Sequence, residues 1–429
     1  MFKTLEKAFT VAMLLYTTGT IVPILLATHY PFTEMFGSRF LLAIQTGFYM
    51  GLFCLIAIQW RSFLRSAWNV KWLLALLAVA FISASWSQDP YFTLRRAIVL
   101  SGTTAFGIYL GSRFDIPEQL RLLTWTFVIV ICASFLYVLL RPQHGIDYLY
   151  HYGDWQGVFS QKNILGRAMV LATFVFLFAR FRVGSPVRWI GIAGSVTLLI
   201  LSQSATGIIV LAVILASWPV YRLFRTRFTF AIPIAAAIFT ILAASAAFAY
   251  EAMPTLLEMM NRNEGLSGRI DLWDAVWLSI SRRPWLGYGF DAFWQGMQGE
   301  SASVVQAVGW VPAHAHNGFL ELLLETGILG LAVFAVGYFL LWHRALLLVT
   351  RVGGHIPLWL CTYLLFMLIY NFTENAIIVT NSIFWVLYTS TAVSSYSDLP
   401  ANSASERSFL NSSSSQRDES GFPEQTSCA

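Results

Sequence analysis

The sequence predicts an all-α polytopic membrane protein with about twelve transmembrane helices, and three observations lead to this fold class. Of the 429 residues, 57% are hydrophobic and only 11% are charged, whereas roughly a quarter of a soluble domain is charged. Apolar runs of about twenty residues, the length that spans a bilayer, recur about twelve times. The third observation is that one long connection and a polar C-terminal tail interrupt these runs. The composition and the apolar runs together exclude an ordinary water-soluble domain.

Most of the apolar runs are separated by short polar connections, so each is expected to cross the membrane once. The first run is expected to be an anchor and not a signal peptide, because it is long and lacks a small-residue cleavage site. The runs lie at residues 9–28, 39–59, 71–87, 95–112, 120–140, 163–180, 187–203, 205–222, 228–250, 318–342, 357–372 and 376–394.

Basic residues predict the orientation of these spans. Lys and Arg accumulate in the short cytoplasmic loops of membrane proteins. With the N-terminus in the cytoplasm, 17 of the 27 Lys and Arg residues lie inside, and an even number of spans leaves the C-terminus there too. The other ten face outward or lie at outer helix ends, where several are expected to pair with carboxylates: Arg39, Arg95, Arg96, Arg141, Lys162, Arg167, Arg262, Arg269, Arg282 and Arg283.

The long connection, residues 251–315, falls on the outer side in this orientation. Within it, Ser267 is a residue type that caps helices, and apolar side chains recur at helical spacing up to about Arg282, where Pro284 follows. Short helices are therefore expected in the loop. Residues 1–395 form one predicted membrane domain, and the Ser-rich residues 396–429 are predicted to be a disordered cytoplasmic tail.

Several function classes are disfavoured. The net charge of +5 is accounted for by the cytoplasmic loops, so no nucleic-acid partner is expected. The four cysteines, Cys54, Cys132, Cys361 and Cys428, show no metal-ligand spacing, so neither disulfides nor a structural zinc site is predicted. No D-x-D, P-loop or dinucleotide-binding glycine pattern is present, and no cofactor or metal is expected.

Two histidines, His314 and His316, stand where the outer loop meets the tenth run. A histidine with an ordinary pKa of about 6.5 can accept a proton near neutral pH, which suits a general base acting on a hydroxyl group. The alternative is a hydrogen-bonded histidine at the membrane interface. Glu321 and Glu325 follow one and two helical turns later and are candidates for holding a histidine or an arginine in place.

Three stretches of the chain carry a more specific pattern. In chain order they are Gly157-Val-Phe-Ser-Gln-Lys162-Asn163-Ile-Leu-Gly166-Arg167, then Ser267-Gly-Arg269 with Arg283-Pro-Trp-Leu-Gly287-Tyr-Gly289-Phe290, and finally His316-Asn317 with Gly327 and Gly330. Together they resemble the O-antigen ligase and polysaccharide polymerase superfamily of bacterial envelopes. The first stretch is most similar to the ExoQ-type exopolysaccharide production proteins. The resemblance covers nearly all of the chain before the tail.

This resemblance implies a multi-pass glycosyltransferase of the bacterial inner membrane. Its donor is a glycan linked through diphosphate to undecaprenol, and the glycan passes to an acceptor hydroxyl on the outer, periplasmic face without a metal. The lipid bilayer, the lipid-linked oligosaccharide and the glycan acceptor are the expected partners. The resemblance also leaves room for chain-length regulators and export proteins. One or two of the aromatic residues in the outer loop are candidates for stacking on sugar rings.

Site residues follow from the same motifs. Arg269 and Arg167 are predicted to bind the diphosphate, because guanidinium groups stabilise charge on a leaving group bidentately. Arg167 lies inside the sixth run, where an unpaired charge costs on the order of 3 kcal/mol, so it is expected to face protein or ligand. Lys162 is predicted to add a point charge, His316 to act as the base, and Asn317 to orient His316.

Alternatives remain at this point. A polymerase of exopolysaccharide repeats and an O-antigen ligase that transfers glycan to lipid A-core use the same donor, and the first motif favours the polymerase. A transporter of polysaccharide or lipid-linked oligosaccharide is the candidate from another class. It is disfavoured because the predicted spans lack carboxylates near the bilayer midplane and no internal repeat is visible.

Overall fold

The computed structural model describes residues 2–20, 38–148, 153–181, 185–226, 267–351 and 355–396. The ninth predicted run, residues 228–250, and the predicted tail beyond residue 396 lie outside the described residues. Within the described ranges the chain forms fifteen α-helices: α1 Phe2–Thr17, α2 Ser38–Ile58, α3 Trp60–Asn69, α4 Lys71–Ile82, α5 Pro90–Arg113, α6 Ile116–Leu140, α7 Pro142–Gly145, α8 Lys162–Phe178, α9 Pro186–Leu201, α10 Ala205–Thr226, α11 Ser267–Arg282, α12 Ser301–Val308, α13 Gly318–Arg351, α14 His355–Tyr370 and α15 Ile383–Ser394.

The described strands are two short ones. Ile146–Asp147 and Asp154–Trp155 pair antiparallel, with Ile146 opposite Trp155. The predominance of helix confirms the all-α class, as expected in a bilayer, where a helix satisfies its own backbone polar groups.

Three described helices are long and apolar enough to cross a membrane, namely Phe40–Ile58, Ile116–Leu140 and Gly318–Thr350. A fourth candidate is the pair formed by α3 and the segment Lys71–Ser85, which passes only when the two are taken together and is bent by 86°. Four more helices of the described chain are apolar but shorter. These helices support a multi-pass membrane protein, while the number of twelve spans stays a prediction.

Helices α5 and α15 approach each other closely because α5 presents glycines to its partner. A Cβ atom on Gly107 would lie 2.7 Å from the carbonyl oxygen of Val386, and one on Gly111 would lie 2.7 Å from that of Ser390. Small residues at a helix interface let two backbones pack closely inside a membrane. Helix α15 thereby holds the chain segment before it, which carries part of the site.

The N-terminal part of α1 is fixed to α5 by an ion pair whose carboxylate is buried. Glu6 is 2% exposed and accepts hydrogen bonds from Nε of Arg113 at 2.7 Å and from the hydroxyl of Tyr109 at 2.7 Å. A buried carboxylate is tolerated when it is paired and hydrogen-bonded in this way. The contact ties the first helix to the bundle at the end predicted to face the cytoplasm.

The described part of the predicted outer loop, residues 267–315, is packed around a small apolar core. Helix α11 occupies the predicted range from Ser267 to Arg282, which confirms the helix inferred from the spacing. Its inward residues pack with α12, the following turn and the start of α13, and the buried members are Leu272, Val276, Ile280, Tyr288, Phe293, Val304, Ala315 and Leu324. The loop therefore presents a fixed surface to the membrane domain.

Helix α13 is broken at Gly327, where the predicted span at 318–342 was expected to be continuous. Gly327 has φ 65° and ψ −164°, a backbone conformation essentially restricted to glycine. The turn after α11 fills the break. Tyr288 N donates to the carbonyl oxygen of Leu324 at 2.8 Å, and Ile328 N donates to that of Pro284 at 2.8 Å. These bonds satisfy backbone groups that the break would otherwise leave unpaired.

The last predicted run, 376–394, also differs from the structure, because helix α15 begins only at Ile383. Ile378 and Asn381 have positive φ angles of 48° and 55°, which end any regular helix. Asn381 is held there by the hydroxyl of Tyr49, which donates to its side chain at 2.6 Å. The residues between α14 and α15 therefore form an ordered, non-helical loop.

Candidate functional site

Four parts of the chain meet at one buried place. They are the start of α8, the start of α11, the loop at residues 309–317 before α13, and the loop at residues 371–382 between α14 and α15. We refer to residues 309–317 as the histidine loop and to residues 373–375 as the carboxylate segment. The histidine loop carries His314 and His316, and the carboxylate segment carries Glu374.

Glu374 lies at the centre of this site, with its side chain 9% exposed. Its Oε1 atom lies 3.1 Å from Nη2 of Arg269 and 3.5 Å from Nδ2 of Asn163. Its Oε2 atom lies 3.4 Å from Nδ1 of His316, an ion-pair distance without the alignment of a hydrogen bond. One carboxylate thus connects residues from three separate elements.

The backbone of the carboxylate segment is bound at three successive carbonyl groups. The carbonyl oxygen of Thr373 accepts from Nη1 of Arg269 at 3.0 Å, and that of Asn375 accepts from Nη1 of Arg167 at 3.3 Å. Between them, the carbonyl oxygen of Glu374 accepts from the amide of Gly318 at 3.0 Å. The two arginines predicted from sequence therefore meet at the same three residues.

Arg167 lies one turn inside α8 and faces protein, as predicted. Its guanidinium carbon is 4.9 Å from the ring centre of Phe384 and 5.9 Å from that of Tyr370, distances at which a cation is attracted to an aromatic face. Its Nε atom is buried and has no hydrogen-bond partner within the described chain. A buried unsatisfied donor of this kind is compatible with a site that binds an additional acceptor.

His316 adopts a strained backbone conformation, with φ 50°, which is uncommon for a residue other than glycine. Its amide donates to Nδ1 of His314 at 3.1 Å, and the two rings are 4.1 Å apart. The ring of Trp310, which is 41% exposed, lies 6.3 Å from that of His316. The imidazole thus lies between a buried carboxylate and an exposed aromatic surface.

Hydrogen bonds on both sides of Ala315 hold the histidine loop. Its amide donates to Oε2 of Glu321 at 2.6 Å, and its carbonyl oxygen accepts from Nε1 of Trp273 at 2.9 Å. The other oxygen of Glu321 accepts from Nε1 of Trp294 at 2.7 Å. The sequence predicted that Glu321 holds a histidine or an arginine in place, and in the structure it holds the backbone between the two histidines.

Two of the predicted site residues have other partners. Lys162 pairs with Asp154 at 2.7 Å, so its charge is already compensated. Asn317 accepts hydrogen bonds from the amides of Phe319 at 3.0 Å and Leu320 at 3.2 Å, as a residue that caps the start of a helix does. Its cap fixes where α13 begins, directly after His316. Substrate contacts of Lys162 and Asn317 stay predictions.

Burial and neighbouring charges set the protonation of two groups in the site. Burial alone would raise the pKa of Glu374, but His316, Arg167 and Arg269 outweigh it and lower the pKa to about 2. Burial, together with the charge of His316, lowers the pKa of His314 to about 4. At neutral pH Glu374 is therefore ionised and His314 is neutral.

His314, His316 and Glu374 also bring one potential metal-ligand atom each to within 4.8 Å of one another. The fit to a cation is poor, because Nδ1 of His314 already accepts from a backbone amide and one oxygen of Glu374 accepts from Arg269. Two nearby guanidinium groups add repulsion to any divalent ion. The donor set is better suited to an anion bound by the arginines.

An apolar cavity of about 180 Å³ adjoins the site. Its lining includes Phe319, Phe334, Tyr338, Met367 and Asn371, and the carbonyl oxygen of Asn371 accepts from the amide of Gly318 at 2.8 Å. Gly318 in turn follows the histidine loop. The charged site and the apolar cavity are therefore direct neighbours.

Glu374 and its partner Asn163 are the residues that sequence reasoning missed. Glu374 lies between two predicted spans, outside every motif, while Asn163 lies inside the first motif and was given no role. The signal in the sequence that could have indicated Glu374 was its charge. An isolated carboxylate between two predicted spans, flanked by Thr373 and Asn375, is a candidate counter-charge for arginines that a membrane site cannot leave unpaired.

The helices and the buried charged site define a multi-pass α-helical membrane protein whose site is built from arginines, a carboxylate and histidines. Comparison with known proteins identifies the class further. Residues 190–335 match the family model described as O-antigen ligase. The chain is also 27% identical over 322 residues to the exopolysaccharide production protein ExoQ of Rhizobium meliloti (strain 1021), covering 72% of this chain and 71% of that protein. The resemblance predicted from the three motifs is confirmed.

Proposed function

We propose that this protein is an inner-membrane glycosyltransferase that polymerises exopolysaccharide repeat units on the periplasmic face. The donor is an undecaprenyl-diphosphate-linked glycan, and the acceptor is a hydroxyl group of a second glycan. The observation that carries the proposal is the convergence of Arg167, Arg269 and His316 on the carboxylate segment. In this account both termini are cytoplasmic, and chain-length regulators and export proteins are candidate partners.

The leaving group explains the two arginines. When the anomeric carbon–oxygen bond breaks, negative charge develops on the lipid diphosphate, and preorganised cationic donors lower the barrier for that step. Arg167 uses its Nη1 atom to hold the carboxylate segment, and its other nitrogens are available. Arg269 uses Nη1 for the same segment and Nη2 for the carboxylate of Glu374, so a phosphate oxygen competes with Glu374 for this arginine. The free Nε atom of Arg167 is one donor for a phosphate oxygen. No step in this mechanism requires a metal.

His316 is the general base in this proposal. Nδ1 of His314 accepts from the amide of His316, so the proton of neutral His314 resides on Nε2 and that ring offers no free lone pair. Nε2 of His316 takes the proton of the acceptor hydroxyl as its oxygen attacks the anomeric carbon. The diphosphate leaves with the bonding electron pair, and direct displacement inverts the anomeric configuration.

The structure offers separate surfaces suited to the lipid and to the sugar of the donor. The apolar cavity lined by Phe319, Phe334 and Met367 is suited to part of the polyprenyl chain, because apolar surface buried against lipid is favourable. The exposed ring of Trp310 beside His316 is suited to a sugar ring, since aromatic side chains offer a large apolar face. Both features support a lipid-linked glycan as the donor.

An O-antigen ligase is the second candidate, favoured by the family model that matches residues 190–335. The ligase uses the same donor and transfers the glycan to lipid A-core or another envelope acceptor. Similarity to an exopolysaccharide production protein over 72% of the chain favours the polymerase.

Reconstitution tests the proposal. The purified protein in liposomes is supplied with a lipid-linked single repeat, alone or together with lipid A-core, with and without a chelator, and products are separated by size. We expect wild type to form longer lipid-linked glycans in both conditions, and His316→Ala to form none. Transfer that requires added divalent metal, or an unchanged product with His316→Ala, would contradict the mechanism. Transfer only to lipid A-core would assign the protein as a ligase.

A further inference from the structure

We propose that Glu374 is a positioning residue that fixes the proton of His316 on Nδ1 and compensates the charge that His316 gains during transfer. The inference rests on the proposed function. It concerns the loop between α14 and α15, which lies outside the residues that match the family model.

The geometry places Glu374 on the non-reacting side of the base. Its Oε2 atom is 3.4 Å from Nδ1 of His316, and the carboxylate is ionised because it lies among cationic groups. A lone pair on Nδ1 facing this carboxylate would be repelled, whereas a proton there is attracted. The proton of neutral His316 therefore resides on Nδ1, which leaves Nε2 free as the base.

The length of this contact, 3.4 Å, agrees with this role. Hydrogen bonds between catalytic groups are often poorly aligned before substrate binds and shorten in the reacting complex. When Nε2 takes the acceptor proton, the imidazolium carries a full positive charge next to Oε2 of Glu374. The attraction across this contact then increases, so the carboxylate stabilises the transition state more than the ground state.

No other group described around His316 can compensate the positive charge that the base gains. The ring of His316 contacts those of His314 and Trp310, and Arg167 and Arg269 act on the same carboxylate. His314 is neutral, and both arginines disfavour a positive charge on His316. Among these groups, all within the described chain, Glu374 is the anion that offsets them.

The fold holds Glu374 stiffly enough for such a role. The amide of Gly318 donates to the carbonyl oxygens of both Asn371 and Glu374, at 2.8 and 3.0 Å, so the start of α13 and the carboxylate segment are joined directly. A Cβ atom on Gly318 would overlap the side chain of Asn371. The backbones that carry the base and the carboxylate therefore move together, which keeps their side chains in register.

Glu374 also links the base to the leaving-group site, because its Oε1 atom accepts from Arg269 at 3.1 Å. Through this ion pair the carboxylate compensates the charge of Arg269. A bound diphosphate supplies competing negative charge to Arg269, which leaves more of the carboxylate's charge for His316. Donor binding and activation of the base are thereby coupled through a single side chain.

Glu374→Gln tests this inference, because it keeps the shape and removes the charge. In the reconstituted transfer assay, we expect kcat to fall on the order of 10²–10⁴-fold, while KM for the lipid-linked donor does not rise, because Arg269 no longer pairs with a competing carboxylate. The acidic limb of the pH–rate profile should move to lower pH, since the carboxylate no longer favours a protonated imidazole. Glu374→Asp keeps the charge on a shorter side chain, farther from His316. We expect this variant to have partial activity and the wild-type pH–rate profile.

Controls separate this inference from the proposed function. Glu300→Gln changes a more exposed carboxylate whose only described ion pair, with Arg282, is long at 3.8 Å, and it should behave like wild type. If wild type does not consume the donor, or His316→Ala remains active, the proposed function fails. If His316→Ala is inactive, two results with Glu374→Gln would contradict the proposed role of Glu374. One is a wild-type kcat, and the other is a lower kcat with an unchanged pH–rate profile. If Glu374→Gln does not reach the membrane, two other variants test the role of Glu374. A wild-type kcat in Glu374→Ala would refute that role. A shifted pH–rate profile in Glu374→Asp would contradict the argument from charge.

Discussion

The carboxylate of Glu321 accepts a hydrogen bond of 2.6 Å from the amide of Ala315, the residue between the two histidines of the site. The same carboxylate accepts from the indole of Trp294 at 2.7 Å. One residue at the start of α13 therefore holds both the histidine loop and the outer-loop core. The conformation of the proposed base depends on this contact, because the neighbouring backbone has a positive φ angle that the surroundings must maintain.

Glu321→Ala is expected to destabilise the protein and reduce transfer. The change leaves the buried amide of Ala315 without its acceptor, and such an orphaned group costs about 1–3 kcal/mol. Thermal unfolding of the purified protein and the rate of transfer measure the two effects. Glu300→Ala is the matched control, at a carboxylate whose side chain is 37% exposed. A variant that keeps wild-type stability and transfer would show that the loop does not need this contact.

Arg167→Lys is expected to reduce transfer by about 10²-fold, because an ammonium group cannot replace a planar fork of donors on a diphosphate. Steady-state assays with the lipid-linked donor at matched protein levels check this. Arg61→Lys, on the exposed surface of α3, is the control and should retain activity. Equal activity of Arg167→Lys and wild type would remove bidentate phosphate binding at this position from the account.

Gly327→Ala is expected to disrupt the joint between α13 and the turn after α11. Its backbone conformation alone costs about 1–3 kcal/mol for any other residue, and the added Cβ atom would overlap the carbonyl group of Trp285. Lower thermal stability and a lower yield in membranes are the measurable effects. In Gly47→Ala, the new Cβ atom meets nothing within 4 Å, so this variant should be as stable as wild type. Equal stability of Gly327→Ala would contradict the described break.

The contribution of His314 to folding stability is expected to decrease as the pH falls from about 6.5 to 4. The pKa of His314 is lowered in the folded protein to about 4, so over this range the unfolded chain binds the proton more readily and unfolding is favoured. Glu374, with a pKa of about 2, adds a further loss between about pH 4.5 and 2. Thermal unfolding against pH measures both. His314→Gln should flatten the upper part of the curve, and an unchanged slope would refute the assignment.

Local sequence patterns were sufficient for the helices and for part of the site. Apolar runs of bilayer length predicted most of the helices, and three motifs predicted Arg167, Arg269 and His316. The structure brings these three residues to the carboxylate segment, and their roles in transfer stay predictions. Helix α11 was likewise predicted from a capping residue, helical spacing and the following proline.

Local sequence patterns did not predict the contacts between distant parts of the chain. Glu374 lies 105 residues from Arg269 in sequence, and no local periodicity indicates that they pair. The break at Gly327 was hidden in an apolar run, because hydropathy does not reveal a backbone conformation. Lys162 was assigned to the anion site on its helical spacing, but Asp154, on a neighbouring strand, pairs with it.

The glycan profile of cells tests the central claim most directly. Cells that lack the protein are complemented with wild type or with His316→Ala at matched membrane levels, and lipid-linked and surface glycans are compared. We expect the null cells and the His316→Ala cells to lose high-molecular-weight polysaccharide and to accumulate a single lipid-linked repeat, while wild type restores the polymer. Full restoration by His316→Ala would contradict the account, and long lipid-linked chains that fail to reach lipid A-core would identify a ligase instead of a polymerase.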